Sequence, residues 1–165
     1  MKNKLLKTWI TAVTLLMASL AWGATGGPAV DGYGVNNAVD GVTSTYFLGD
    51  DSEASWYIVH SYGYERSFNV VRVDWLSSDY IPDEARLDIS TNGTEWTEVG
   101  TFPATDPAEL TVSQTGMYFR IRMTGLNTSG NAPAINEIWD IPPSGASGGE
   151  VFSGTTTADR AFDGD

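Results

Sequence analysis

The sequence predicts an all-β protein, an antiparallel β-sandwich, and three observations carry that prediction. Between Gly26 and Ile141, short runs alternate apolar with polar or charged residues, the period-two pattern of strands with one buried and one wet face. Gly, Pro and Asn cut those runs at short intervals, as turn residues do. No segment carries a helical period of useful length. Short strands joined by tight turns bury their apolar faces by packing as two antiparallel layers.

The elements follow in order. Lys2, Lys4 and Lys7 precede an apolar stretch from Trp9 to Leu20, and Ala21-Trp22-Gly23 puts small residues where a signal peptidase reads. Residues 1–23 are therefore expected to be a signal peptide, cleaved before Ala24, and the protein to be secreted. At about a dozen residues, the stretch falls short of the roughly 20 that span a bilayer. Ser55-Trp56-Tyr57-Ile58-Val59 reads as a strand largely apolar on both faces. Val71 to Trp75, Ala85 to Ile89 and Phe119 to Met123 alternate strictly. Asn92-Gly93, between Ile89 and Trp96, marks a hairpin. Trp56, Trp75, Trp96 and Trp139 fall at inward phases and are expected in the core. His60, the only histidine, is expected at a strand end, satisfied by backbone.

Pro142-Pro143-Ser144-Gly145-Ala146-Ser147-Gly148-Gly149 is a linker by composition. Beyond it the chain repeats itself. Asn36-Asn37-Ala38-Val39-Asp40-Gly41 is echoed by Asp159-Arg160-Ala161-Phe162-Asp163-Gly164, the mark of a tandem array. Residues 150–165 are expected to begin a second, truncated module of a longer polypeptide.

Charge narrows the partners. The leader holds the only lysines, so beyond it six arginines face 21 acidic residues, a net charge of −15. Such a surface repels phosphate backbones and anionic headgroups, which argues against nucleic acid and membrane lipid and favours cations or neutral ligands. The chain has no cysteine, so no disulfide staples an exported fold. A module of about 115 residues buries a working core without one, and a structural metal is a natural substitute.

Five segments now form a pattern. Asn37-Ala38-Val39-Asp40-Gly41 with Thr45-Tyr46-Phe47 comes first, followed by Trp56-Tyr57-Ile58-Val59. Then come Leu87-Asp88-Ile89-Ser90-Thr91-Asn92-Gly93-Thr94-Glu95-Trp96, Met117-Tyr118-Phe119-Arg120-Ile121 and Ile135-Asn136-Glu137-Ile138. Together, over residues 26–141, they resemble the discoidin or coagulation factor 5/8 C-type domain, which overlaps with family 32 carbohydrate-binding modules. The resemblance implies a jelly-roll β-sandwich of the galactose-binding type.

It also implies one structural calcium ion, where the first loop meets the closing strand. Asp40 and Glu137 would supply carboxylates, Thr45 a hydroxyl or carbonyl, and Asn37 and Val42 carbonyls, a donor mix that suits a hard cation. On the residues alone, Asp40-Gly41 reads rather as a turn and Glu137 as an exposed strand residue, since Asp-Gly is common in turns.

The ligand site in such an architecture is built from loops at one end, here 43–55, 77–84 and 125–134. A ring stacks on the apolar face of a sugar while polar side chains take its hydroxyls. Tyr80 is the expected platform, with Asp79 beside it and Asn131 across the mouth. Tyr46 and Phe47 are expected to pack inward. Many galactose-binding members carry an Arg where this chain has Leu76-Ser77-Ser78, a departure that weighs against galactose.

Catalysis is not expected of this module. One histidine and no cysteine exclude most nucleophilic mechanisms, and no pair of carboxylates is spaced across a cleft as a glycosidase requires. The expected function is a secreted, non-catalytic carbohydrate-binding module that targets a longer glycan-active enzyme or adhesin. The alternative is an extracellular protein-contact or spacer module in a repeat array, with no sugar site.

Overall fold

The computed structural model describes residues 23–141 and 150–151. The expected signal peptide, the linker 142–149 and residues 152–165 of the expected second module lie outside the described residues, apart from Gly23. The strands are β1 (Ala24–Gly27), β2 (Phe47–Leu48), β3 (Ser55–Trp75), β4 (Glu84–Ser90), β5 (Thr97–Thr101), β6 (Ala108–Thr124), β7 (Ala134–Ile141) and β8 (Glu150–Val151). Two short 3-10 helices, Val35–Ala38 and Ser78–Tyr80, sit in the loops.

Two long strands frame the molecule. The expected strands at Ser55 and Val71 are one 21-residue strand, and the run at Phe119 ends a 17-residue strand. The intervening segment contains no proline, and His60, Tyr62 and Phe68 all turn inward, so nothing there ends the strand. The β3–β6 ladder runs from Ser55 opposite Thr124 to Ser61 opposite Tyr118, breaks, and resumes from Arg66 opposite Gly116 to Val73 opposite Ala108. At that break both strands cross from one layer to the other. Before it, β3 pairs with β1 and the end of β6 pairs with β4, which carries β5. After it, β3 pairs with β7, which carries β2 at one end and β8 at the other. All these pairings are antiparallel, and the product is a jelly-roll sandwich with layers β1-β3-β6-β4-β5 and β2-β7-β3-β6.

Gly116 stands at the crossing. A Cβ there would lie 2.4 Å from Ile89 Cγ2 and 2.9 Å from the Ser90 carbonyl oxygen, so β6 approaches β4 this closely because the side chain is absent.

One apolar cluster fills the space between the layers, with Trp56, Ile58, Leu87, Phe119 and Ile121 from the first and Phe47, Val71, Trp75, Ile135 and Ile138 from the second. Each such side chain contributes about 2 kcal/mol by leaving water. Trp56 and Trp75 are core as expected, at 2% and 1% exposure. Trp96 and Trp139 are not, for both are partly exposed. Trp139 hydrogen-bonds Asp74 through its indole N–H at 2.7 Å, and Trp96 lies under the Arg120 guanidinium, 4.4 Å from the ring centroid. His60 is interior to β3 rather than at its end, buried against Tyr62 and Phe119.

The Asn92 turn does join β4 to β5, but as a six-residue loop. The Asn92 Oδ1 accepts from the backbone N–H groups of Thr94 and Glu95, each at 2.9 Å, and so holds the loop wide.

Candidate functional site

Two constellations sit beside the second layer. The first begins at the 3-10 helix Val35–Ala38, where Asn37 Nδ2 donates to the carbonyls of Gly32 and Tyr46 at 3.3 and 3.1 Å. Asp40-Gly41 follows, and Gly41 adopts φ +76°, a left-handed conformation that glycine takes without penalty. Its N–H thereby reaches Glu137 Oε2 at 3.1 Å. A bulge in the β3–β7 ladder, where Asp74 opposes Glu137 but Trp75 opposes Ile135, accompanies the inward placement of Glu137. That residue is fully buried, not exposed.

Oxygens outnumber protons here. Asp40 Oδ1 accepts from Val42 N–H at 2.8 Å. The Thr45 hydroxyl lies 3.1 and 2.9 Å from the two Asp40 carboxylate oxygens and 2.7 Å from the Val42 carbonyl, three acceptors for one proton. Glu137 Oε1 is buried with no hydrogen-bond partner. Burial, and then the neighbouring Asp40 charge, push the Glu137 carboxyl up to about 8. An orphaned carboxylate oxygen in an oxygen-rich, proton-poor turn fits a hard cation. Among the described residues no three or more His, Cys, Asp or Glu side chains converge to hold a metal, so hydroxyl and carbonyl oxygens would have to complete a shell begun by Asp40 and Glu137.

The second constellation is the loop end. Gly49 N–H donates to the Pro133 carbonyl at 2.9 Å, Leu76 N–H to Ala134 at 3.0 Å and Gly125 N–H to Ala54 at 3.1 Å. Those bonds draw the three expected loops together. The Ser77 hydroxyl accepts from Asp79 N–H and starts the helix Ser78–Tyr80. The Asp79 carbonyl then accepts from Asn131 Nδ2 at 3.0 Å and also from Asn127 Nδ2. Asp79 and Asn131 are thus adjacent, with Tyr80 next along the chain and partly exposed.

Three residues here were missed or misplaced by sequence reasoning. Phe47 packs inward as expected, fully buried, but Tyr46 stays partly exposed. Its ring lies 4.8 Å from that of Tyr33 at an interplanar angle of 30°. The hydrogen bond to Tyr33, and then burial, hold the Tyr46 phenol above its ordinary range. Tyr33 had a signal, a ring between Gly32 and Gly34. Asn127 had only its place in a Thr-Ser-Gly loop, yet its Oδ1 accepts from Ser129 and Asn131 N–H at 2.9 Å each.

The chain's relatives agree with this architecture. The family model for the F5/8 type C domain matches residues 24–138. No curated protein matches the chain. Among solved structures, chitosan-binding module 1 of a chitosanase/glucanase from Paenibacillus sp. IK-5 superposes with TM-score 0.62 at 21% identity, covering 70% of this chain and 90% of that one. A pectin-binding carbohydrate-binding module gives 0.63 at 18%, covering 74% and 91%. The family 32 module of C. perfringens NanJ, in complex with galactose, gives 0.59 at 17%, covering 70% and 89%. At these identities the likeness establishes the fold.

Proposed function

This chain belongs to the F5/8 type C domain family, and on that premise we propose that residues 24–141 are a non-catalytic carbohydrate-binding module, acting outside the cell as the targeting part of a longer glycan-active enzyme or adhesin. The observation that carries the reading is the loop end, where the partly exposed ring of Tyr80 follows Asp79, whose carbonyl holds the side chain of Asn131. Rings take the apolar face of a pyranose, and amides and carboxylates take its hydroxyls. Neighbours of the same fold that bind chitosan, pectin and galactose support the ligand class without naming the sugar.

A structural calcium ion belongs to the same proposal. Asp40 and Glu137 would hold it with carboxylates, Thr45 with its hydroxyl or carbonyl, and Asn37 and Val42 with carbonyls. Its role would be to tie β7 to the first loop.

One observation favours the rival reading, a spacer or protein-contact module. Glu150 and Val151 pair with Asp140 and Trp139 on the edge of β7, so these two residues extend the second layer of this sandwich.

A glycan array probed with the full chain and with Tyr80→Ala separates the two. The carbohydrate reading expects binding that Tyr80→Ala lowers by about tenfold. A folded protein that binds no glycan would leave the spacer reading.

A further inference from the structure

The first layer has an outer face that the loop-end site does not use. Tyr57 and Val59 lie on the side of β3 opposite Trp56 and Ile58, which explains why this strand is apolar on both faces. Tyr57 is 46% exposed. Its partner across β1 is Gly27, which has no side chain to cover the ring. Its partner across β6 is Arg122. A groove of about 240 Å³ runs here, lined by Ser55, Trp56, Tyr57, Arg120, Arg122, Met123 and Thr124.

The floor of this face is held rigid. Asp88, almost fully buried, accepts from Arg122 Nε at 2.6 Å and from Arg120 Nε at 2.8 Å. Arg122 also reaches Glu98 at 2.8 Å, and Arg86 bridges Glu98 and Glu84. The Arg120 guanidinium stacks on Trp96, itself partly exposed. Three of the five described arginines thus gather on one face of an acidic protein, matched by three carboxylates, so the face is locally neutral. Such a network attracts neither anions nor cations, yet it presents fixed donors and acceptors between two rings. From Tyr57 across the diagonal to Arg120 and on to Trp96 is on the order of 10 Å, longer than one pyranose ring.

We propose that this outer face is a second binding surface, which takes the length of an uncharged polysaccharide chain. Tyr57 is its stacking platform, and Arg120, seated on Trp96, offers hydrogen bonds together with Arg122 and Glu98. A second copy of the chain is the weaker occupant, because two strongly acidic molecules repel one another on approach. The proposal does not depend on the loop-end reading, since Tyr57, Arg120 and Arg122 lie outside the loops 43–55, 77–84 and 125–134.

Native affinity electrophoresis of the full chain in gels containing galactomannan, galactan or soluble β-glucan tests it. At least one polymer should retard the protein, and Tyr57→Ala should weaken that retardation about tenfold. Tyr57→Phe should retain it, and Tyr80→Ala should leave a Tyr57-dependent component. The ring is exposed, so the melting temperature of Tyr57→Ala should match the parent. The proposal is overturned if no neutral polymer retards the chain, or if Tyr57→Ala migrates as the parent does. It is also overturned if light scattering shows a dimer that Tyr57→Ala dissolves.

Discussion

Gly41 donates its backbone N–H to the buried carboxylate of Glu137 across 96 positions of sequence. This single bond joins the first loop to the closing strand, and it satisfies one of two carboxylate oxygens while the other lies buried without a partner. One oxygen of a buried carboxylate is thus left unmatched by the protein's own donors.

The pH dependence of the metal-free protein follows. Burial and Asp40 raise the Glu137 carboxyl in the folded state to about 8, from an ordinary value of 4.5. The folded state then holds a proton between those values that the unfolded state has released, so stability falls as pH rises through that window. Calorimetry in chelator should show the melting temperature declining from pH 5 to pH 8, and millimolar calcium should remove the decline. Glu137→Gln should flatten the profile and abolish the calcium response. A calcium response that persists in Glu137→Gln would remove this residue from the ion's shell.

His60 predicts the opposite slope. Burial, then the Arg66 charge, lower its imidazole to about 4 from 6.5. Its contribution is complete above pH 6.5 and is lost as pH falls toward 4, about 3 kcal/mol in all. The chain has one histidine, so its imidazole proton resonances can be followed without assignment. They should stay flat to below pH 5, and a midpoint near 6.5 would place the ring in solvent.

The sandwich was legible because alternation survives along β4, β6 and the second half of β3, where apolar and polar residues take opposite faces. What periodicity does not encode is where one strand ends. Tyr62 to Arg66 has the turn-like composition of a loop, yet it continues β3 through the crossing. Trp96 and Trp139 have inward phases but lie where neighbouring charges, Arg120 and Asp74, hold them at the surface. Tyr80, Asp79 and Asn131 were visible as loop residues of suitable chemistry. Asn127 was not, since its role is to bond backbone atoms that only the fold brings near.

Gly116 is a test of the crossing itself. Alanine there places a methyl group inside van der Waals contact with Ile89 and the Ser90 carbonyl, and both neighbours belong to β4, which cannot retreat without breaking its pairing to β6. Overpacking of this kind costs about 2–3 kcal/mol. Urea titration of Gly116→Ala should show that loss in midpoint with an unchanged slope. A variant as stable as the parent would mean that β6 and β4 separate freely at this point.

Asn127 tests whether the loop end is organised in advance of its ligand. Its side chain accepts two backbone N–H groups of its own loop and donates to the Asp79 carbonyl of another. Alanine removes all three bonds at a partly exposed loop position outside the apolar core, so the melting temperature should move little. The ties between these loops that remain are Asn131 Nδ2 to the Asp79 carbonyl and the Asp83 N–H to the Gly125 carbonyl, and a loop left to order itself on binding lowers affinity. Isothermal titration with whichever glycan the parent binds should show Asn127→Ala about tenfold weaker, with a less favourable entropy. Equal affinity would mean that the loops order themselves without this residue, and would leave the Tyr80 ring to carry the site.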